Sequence, residues 1–199
     1  MSNLGLDAAY RGFMAPKAKL SVVHVTTSAV GVVDRTGLAG LSMSAVAVEL
    51  GVATSALYTY CGSADGLHRL VAVQALEDLT RSVQAAATGK AGRDALLAMA
   101  DAWHAFALTN PGQFAATLRP PPGDDGKVIE AMDRLVGIFA LVFAAMGLEE
   151  STARRSARQV HRAVHGCLAV DYLRGSTAEG AADMRDLVEA LVAQPSFPD

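Results

Sequence analysis

The sequence predicts an all-α fold: a small N-terminal three-helix unit followed by a helical bundle, about nine helices in all. Apolar residues recur at helical spacing along almost the whole chain, and no alternating run bounded by turn residues marks a strand. Capping residues and glycine stops divide that periodicity into segments of helical length. The 199 residues, 51% hydrophobic, suffice for one sizeable core or for a small module fused to a larger one.

In chain order, the first helix is expected from about Lys17 to Arg35, with Leu20, Val23, Thr27, Val30 and Asp34 on one stripe and Gly37 past its end. Ser42 caps a short second helix that Gly51 stops at Leu50. A third runs from Ala53 to Tyr60, and Ser63, with Asp65 in the first turn, opens a long fourth through about Ala87. After a break at 88–94, Ala95 to Thr109 places Leu96, Met99, Trp103 and Phe106 on one face. Pro111 restarts the chain, and RPPPGDDG at 119–126 is a loop because its prolines cannot continue a helix. The strongest amphipathic stripe follows: Ile129, Met132, Val136, Phe139, Phe143 and Met146. Helices over Ser151 to Arg174 and Ala181 to Ala193 complete the chain.

Composition narrows the function. The net charge is −3 and the pI near 5.9, so a grip on phosphates must come from local geometry rather than a global basic field. The first residues contain no signal-peptide pattern, and the run LVGIFALVFAAMGL at 135–148 is too short to span a membrane. Cys61 and Cys167 lack metal-ligand spacing and read as free thiols of a reducing cytoplasm, where the chain is expected to reside. No P-loop, G-x-S-x-G, H-E-x-x-H or G-x-G-x-x-G motif is present, so neither an enzyme nor a cofactor is expected.

The segment 42–60 holds two short helices joined by a glycine turn behind a supporting helix. That arrangement serves a helix-turn-helix or an ordinary αα-hairpin, and spacing alone leaves both open. Ala47 is small enough for the helices to cross closely, while Val46, Leu50, Val52 and Leu57 fill the wedge.

The stretch SMSAVAVELGVATSALYTYCGSADGLHRLV resembles the DNA-binding signature of the tetracycline-repressor (TetR) family in its small residue, Leu-Gly-Val turn, Leu-Tyr pair and polar-acidic helix start. AWHAFALTNPGQF and RAVHGCLAVDYL resemble the ligand and dimer domain of a TetR subgroup marked by Trp-His and His-Gly. The resemblance implies an N-terminal arm at 1–16, a helix-turn-helix at 17–66, a linking fourth helix at 63–87, and a ligand-binding and dimerisation domain over 67–199. It implies operator DNA, a small-molecule effector and a second copy of the chain as partners, and no membrane.

Carried onto this sequence, the DNA-facing residues are Ser42 and Ser44 with Thr54, Ser55, Ala56, Tyr58, Thr59 and Tyr60. Hydroxyls can serve phosphates or base edges, and Ala can meet a thymine methyl. Lys17 and Lys19 supply flanking charge, as could Arg11, Arg35 and Arg69. Ala64 and Cys61 depart from the family pattern, which has a basic residue and an aromatic or Val near those positions. Residues 1–85 balance six Lys or Arg against six acidic residues, so helix N-termini must supply much of the attraction to phosphate.

Met99, Trp103, His104 and Phe106, with Phe114, Phe139 and Phe143, are the candidate lining of an effector pocket, because such cavities are largely apolar with few polar groups. His161, Val164, His165, Leu168 and Tyr172, with Met184, Leu187, Val188 and Leu191, form the candidate dimer face, which would build a four-helix bundle with its two-fold copy. The histidine pair at i and i+4 could be read as a metal site, but lacks a third ligand at suitable spacing, so no metal is expected. The expected function is a ligand-responsive repressor that leaves its operator when a small, largely apolar effector binds. The alternative is a helical dimeric ligand-binding or scaffold protein that has lost DNA binding.

Overall fold

A computed structural model of the chain describes residues 20–118, 126–175 and 180–193. Within these residues every regular element is helical: α1 (Val22–Thr36), α2 (Met43–Leu50), α3 (Thr54–Cys61), α4 (Ala64–Ala87), α5 (Gly92–Thr109), α6 (Pro111–Leu118), α7 (Gly126–Ala145), α8 (Glu150–Arg174) and α9 (Gly180–Val192), with a 3-10 turn at Leu38–Gly40. The expected all-α architecture is thus the observed one.

The punctuation follows local chemistry. The hydroxyls of Ser21, Ser42 and Ser63 accept from the N–H groups of His24, Ala45 and Gly66, each satisfying a donor that the first turn leaves orphaned. Gly51 ends α2 in the left-handed conformation (φ 63°, ψ 37°), which aligns the Val52 N–H on the Ala47 carbonyl at 3.0 Å and sets the angle of the next helix.

Two stripes differ from the sequence expectation. In α1 the buried residues are Val25, Ser28, Ala29, Val32 and Val33, whereas Val23, Thr27 and Asp34 are exposed. Valines surround this helix, so periodicity alone left its rotation undetermined. In α7 the stripe begins at Val128 and Ala131 and reaches Leu135, Phe139 and Phe143; Ile129, one residue along, is 43% exposed. The α5 stripe of Leu96, Met99, Trp103 and Phe106 is buried as expected.

One continuous core runs from Val25 and Leu57 through Leu67, Leu79 and Trp103 to Phe139, Val160 and Met184. Helix α4 is its spine, packing against α1 and α3 at one end and against α5, α6 and α7 along its length. Helix α9 packs on α5 and α8. Arg93–Glu189 (2.8 Å) and Arg185–Asp101 pair across the α5–α9 seam, and Arg134–Glu77 (3.2 Å) pairs across α7–α4. These pairs are exposed and contribute little beyond fixing register.

Candidate nucleic-acid interface and effector crevice

Helix α3 is anchored by one fully buried side chain, Leu57, which fills the wedge with Val46 and Ala47. The anchor turns the rest of the helix outward. Thr54, Ser55 and Thr59 are exposed, Tyr58 is 52% exposed and Ala56 is half-buried. Ser42 and Ser44 lie exposed at the start of α2. The Ser42 hydroxyl oxygen already accepts from the Ala45 N–H at 3.1 Å but retains its own O–H for an outside acceptor.

Tyr60 departs from its expected role. Its hydroxyl donates to the Leu20 carbonyl at 2.8 Å, so it straps α3 to the approach of α1 instead of pointing at a phosphate. Arg35 is paired with Glu49 across α1 and α2, which spends one of the flanking cations. Lys17 and Lys19, like Arg11, lie outside the described residues. At the start of α4, a Cβ on Gly66 would stand 1.7 Å from the Cys61 carbonyl oxygen; only glycine lets α4 begin so close to the end of α3.

Of the proposed effector lining, His104 and Phe114 border a crevice between α5, α6 and α8, together with Ala107, Leu108, Asp171 and Tyr172. The crevice holds about 10 Å³, barely the space of one water. Met99, Phe139 and Phe143 have no exposure, and Trp103 and Phe106 almost none; they are placed in the core rather than on the crevice wall, because their stripes are the inward faces of α5 and α7. Trp103 nevertheless sits close behind it, its ring centroid 5.2 Å from His161 and 6.1 Å from His165. The two imidazoles stack at 5.7 Å, and Phe114 meets His165 and Tyr172 edge-on at 6.2 and 5.9 Å. Burial, with His165 and Arg162 nearby, pushes the His161 pKa down to about 4, and burial lowers that of His165. Among the described residues no group of three or more His, Cys, Asp or Glu could hold a metal.

The dimer stripe requires correction. Val164, Leu168, Met184 and Val188 belong to the core of the chain itself, and His161 is only 8% exposed. His165, Tyr172 and Leu191 are half-buried, leaving Leu187, 36% exposed, as the most open of the nine. The apolar face of α8 is consumed chiefly by α7 and α9, and that of α9 by α5 and α8, a competition that a stripe on one helix cannot reveal. The outward face of α8 carries Gly166, which the sequence offers for close approach of a second copy, and also Val170 (46% exposed) and Leu173 (80% exposed), which the sequence does not single out for an interface. An apolar residue opposite an apolar stripe was the available signal.

A second region missed in sequence is the meeting of α1 and α6. A Cβ on Gly112 would fall 2.3 Å from the Val33 carbonyl oxygen, and the buried Gln113 donates from Nε2 to the Asp34 carboxylate at 3.1 and 3.3 Å. Next along the chain comes Phe114, on the crevice wall.

Comparison with known proteins gives this geometry its context. Residues 96–194 match the tetracyclin repressor-like, C-terminal domain. Over 154 residues, 77% of this chain and 71% of the relative, the sequence is 30% identical to an uncharacterized HTH-type transcriptional regulator of Mycobacterium tuberculosis. The chain belongs to the TetR family. The fold is shared with the transcriptional regulator FadR from Bacillus subtilis, solved in complex with stearoyl-CoA (TM-score 0.68, 15% identity, 86% of this chain and 97% of that one). It is shared equally with a TetR variant from Acinetobacter baumannii in complex with minocycline (TM-score 0.66, 17% identity, 88% and 96%). Relatives of this TetR-family chain are thus named as transcriptional regulators, and no described helix is long and apolar enough to cross a membrane.

Proposed function

We propose that this TetR-family chain is a dimeric DNA-binding repressor, released from its operator when a small, largely apolar effector enters the crevice between α5, α6 and α8. The supporting observation is the outward face of α3: Thr54, Ser55, Tyr58 and Thr59 project from a helix whose single buried anchor is Leu57. A helix so held, eight residues long, has the size and chemistry to lie in a major groove. Two copies are needed for two half-sites, and the outward faces of α8 and α9, with Gly166, Val170, Leu173 and Leu187, are the surface that would join them.

Release is read as a population shift: effector binding favours a spacing of the two α3 helices that no longer matches successive grooves. Two levers reach the DNA unit, α4 along its length and α6 through the Gln113–Asp34 contact.

The rival reading, a dimeric ligand-binding protein without DNA binding, draws support from the Arg35–Glu49 pair, which spends one of the cations expected to flank the DNA. Selection of random duplexes by the full-length protein at low salt separates the two. The proposal expects enrichment of a two-fold symmetric sequence with half-sites about one helical turn apart; no enrichment at any salt establishes the rival.

A further inference from the structure

The cluster behind the crevice is chemically unfinished. Trp103 Nε1, His161 Nε2 and His165 Nε2 are all buried and have no hydrogen-bond partner, and their rings lie within 5.2–6.1 Å of one another, centre to centre. Asp171 Oδ2, on the crevice wall, is buried and unpartnered as well. Folded proteins rarely leave such atoms unpaired, and a concentration of them at one place marks where a partner is missing. His161 and Trp103 are 92% and 99% buried, so bulk water does not serve them.

We propose that these atoms are the recognition site for an uncharged, ring-bearing effector carrying a hydroxyl or carbonyl group, its polar end held by Trp103, His161 and His165 and its ring by Phe114 and Tyr172. The assignment rests on the reading of this domain as an effector domain and specifies the chemistry of the effector. The indole N–H can only donate, whereas each neutral imidazole nitrogen can donate or accept according to tautomer, so the trio suits a group able to do both. Two observations disfavour an acid. Asp171 presents a carboxylate in the wall, and the described crevice lining contains neither Lys nor Arg. Burial lowers the basicity of both imidazoles, so neither histidine supplies a positive charge to pair with an acid at neutral pH. The crevice must open for any ligand, and the Phe114 and Tyr172 rings on its wall then offer aromatic surface that favours a flat ring over a flexible acyl chain.

Trp103 is the sole tryptophan of the chain, so its emission reports on this site directly. The full-length protein is titrated with 4-ethylphenol, ethylbenzene, benzoate and octanoate, following Trp103 emission and the melting temperature. Saturable change with 4-ethylphenol is expected, with ethylbenzene about tenfold weaker because it leaves the buried polar atoms unpaired. In His165→Phe and, separately, His161→Phe, checked for native helicity, that difference disappears while ring binding persists. Equal binding of the two isosteres, tighter binding of benzoate or octanoate, or no response at Trp103 overturns the proposal. A melting-temperature rise without a Trp103 response overturns it while leaving the effector domain standing, which separates its failure from that of the wider reading.

Discussion

His161 carries a measurable consequence of its burial. Its folded pKa, about 4, lies below the unfolded value near 6.5, so between those values the unfolded chain binds a proton that the folded chain refuses. Stability is therefore fully present above about pH 6.5 and declines as pH falls toward 4, by an upper bound of about 3 kcal/mol. Urea unfolding at stepped pH should show that slope, and His161→Phe should flatten it; an unchanged slope would place the linkage elsewhere. Gly112 is the other singular residue. Gly112→Ala forces a Cβ onto the Val33 carbonyl, and a loss of about 2 kcal/mol is expected, in the range of overpacked cores. These residues illustrate what a sequence withholds: a histidine at helical spacing and a glycine after proline look ordinary until the opposing surface is known.

At the scale of elements, α6 touches both candidate regions within three consecutive residues. Gly112 lies on α1, Gln113 holds Asp34, and Phe114 walls the crevice. If a ligand displaces Phe114, as the proposed function requires, the neighbouring Gln113–Asp34 contact is the route by which that movement would reach α1. Gln113→Leu should leave stability within about 1 kcal/mol, because Asp34 is exposed and rehydrates. The same variant should bind operator normally yet respond less to effector in a gel-shift titration. Full retention of the response would make α4 the sole lever. Helices α8 and α9 invite a parallel test. Leu173→Glu with Val170→Glu should convert a dimer to a folded monomer in sedimentation, whereas Val164→Glu should unfold the chain, since Val164 has no exposure. A monomeric, folded Val164→Glu protein would restore the stripe first expected from sequence.

The ease of reading differed by element for a physical reason. The caps Ser42 and Ser63 and the Gly51 stop act within a few residues, so α2, the turn and the start of α4 were legible from local chemistry. The rotation of α1, the onset of the α7 stripe and the inward face of α8 depend on partners distant in sequence. The exposed candidates on α3 were legible through the family resemblance, and Leu57 as its anchor through its apolar position; the strap made by Tyr60 was not, since its partner, Leu20, lies forty residues earlier.

At the scale of the molecule, the proposed function asks a nearly neutral N-terminal region to hold DNA through two helix starts and a face of hydroxyls. With few phosphate-neutralising cations, operator affinity should fall with salt less steeply than for basic regulators, each ionic phosphate contact adding about 0.9 to the logarithmic slope. The most direct test of the account is binding of the selected duplex by wild type and by a Ser55→Ala/Tyr58→Ala/Thr59→Ala variant across a salt series. The account predicts two protected half-sites about one turn apart for wild type and loss of sequence preference in the variant, with helicity and dimer mass unchanged. A variant that still protects the same half-sites with undiminished preference would contradict it.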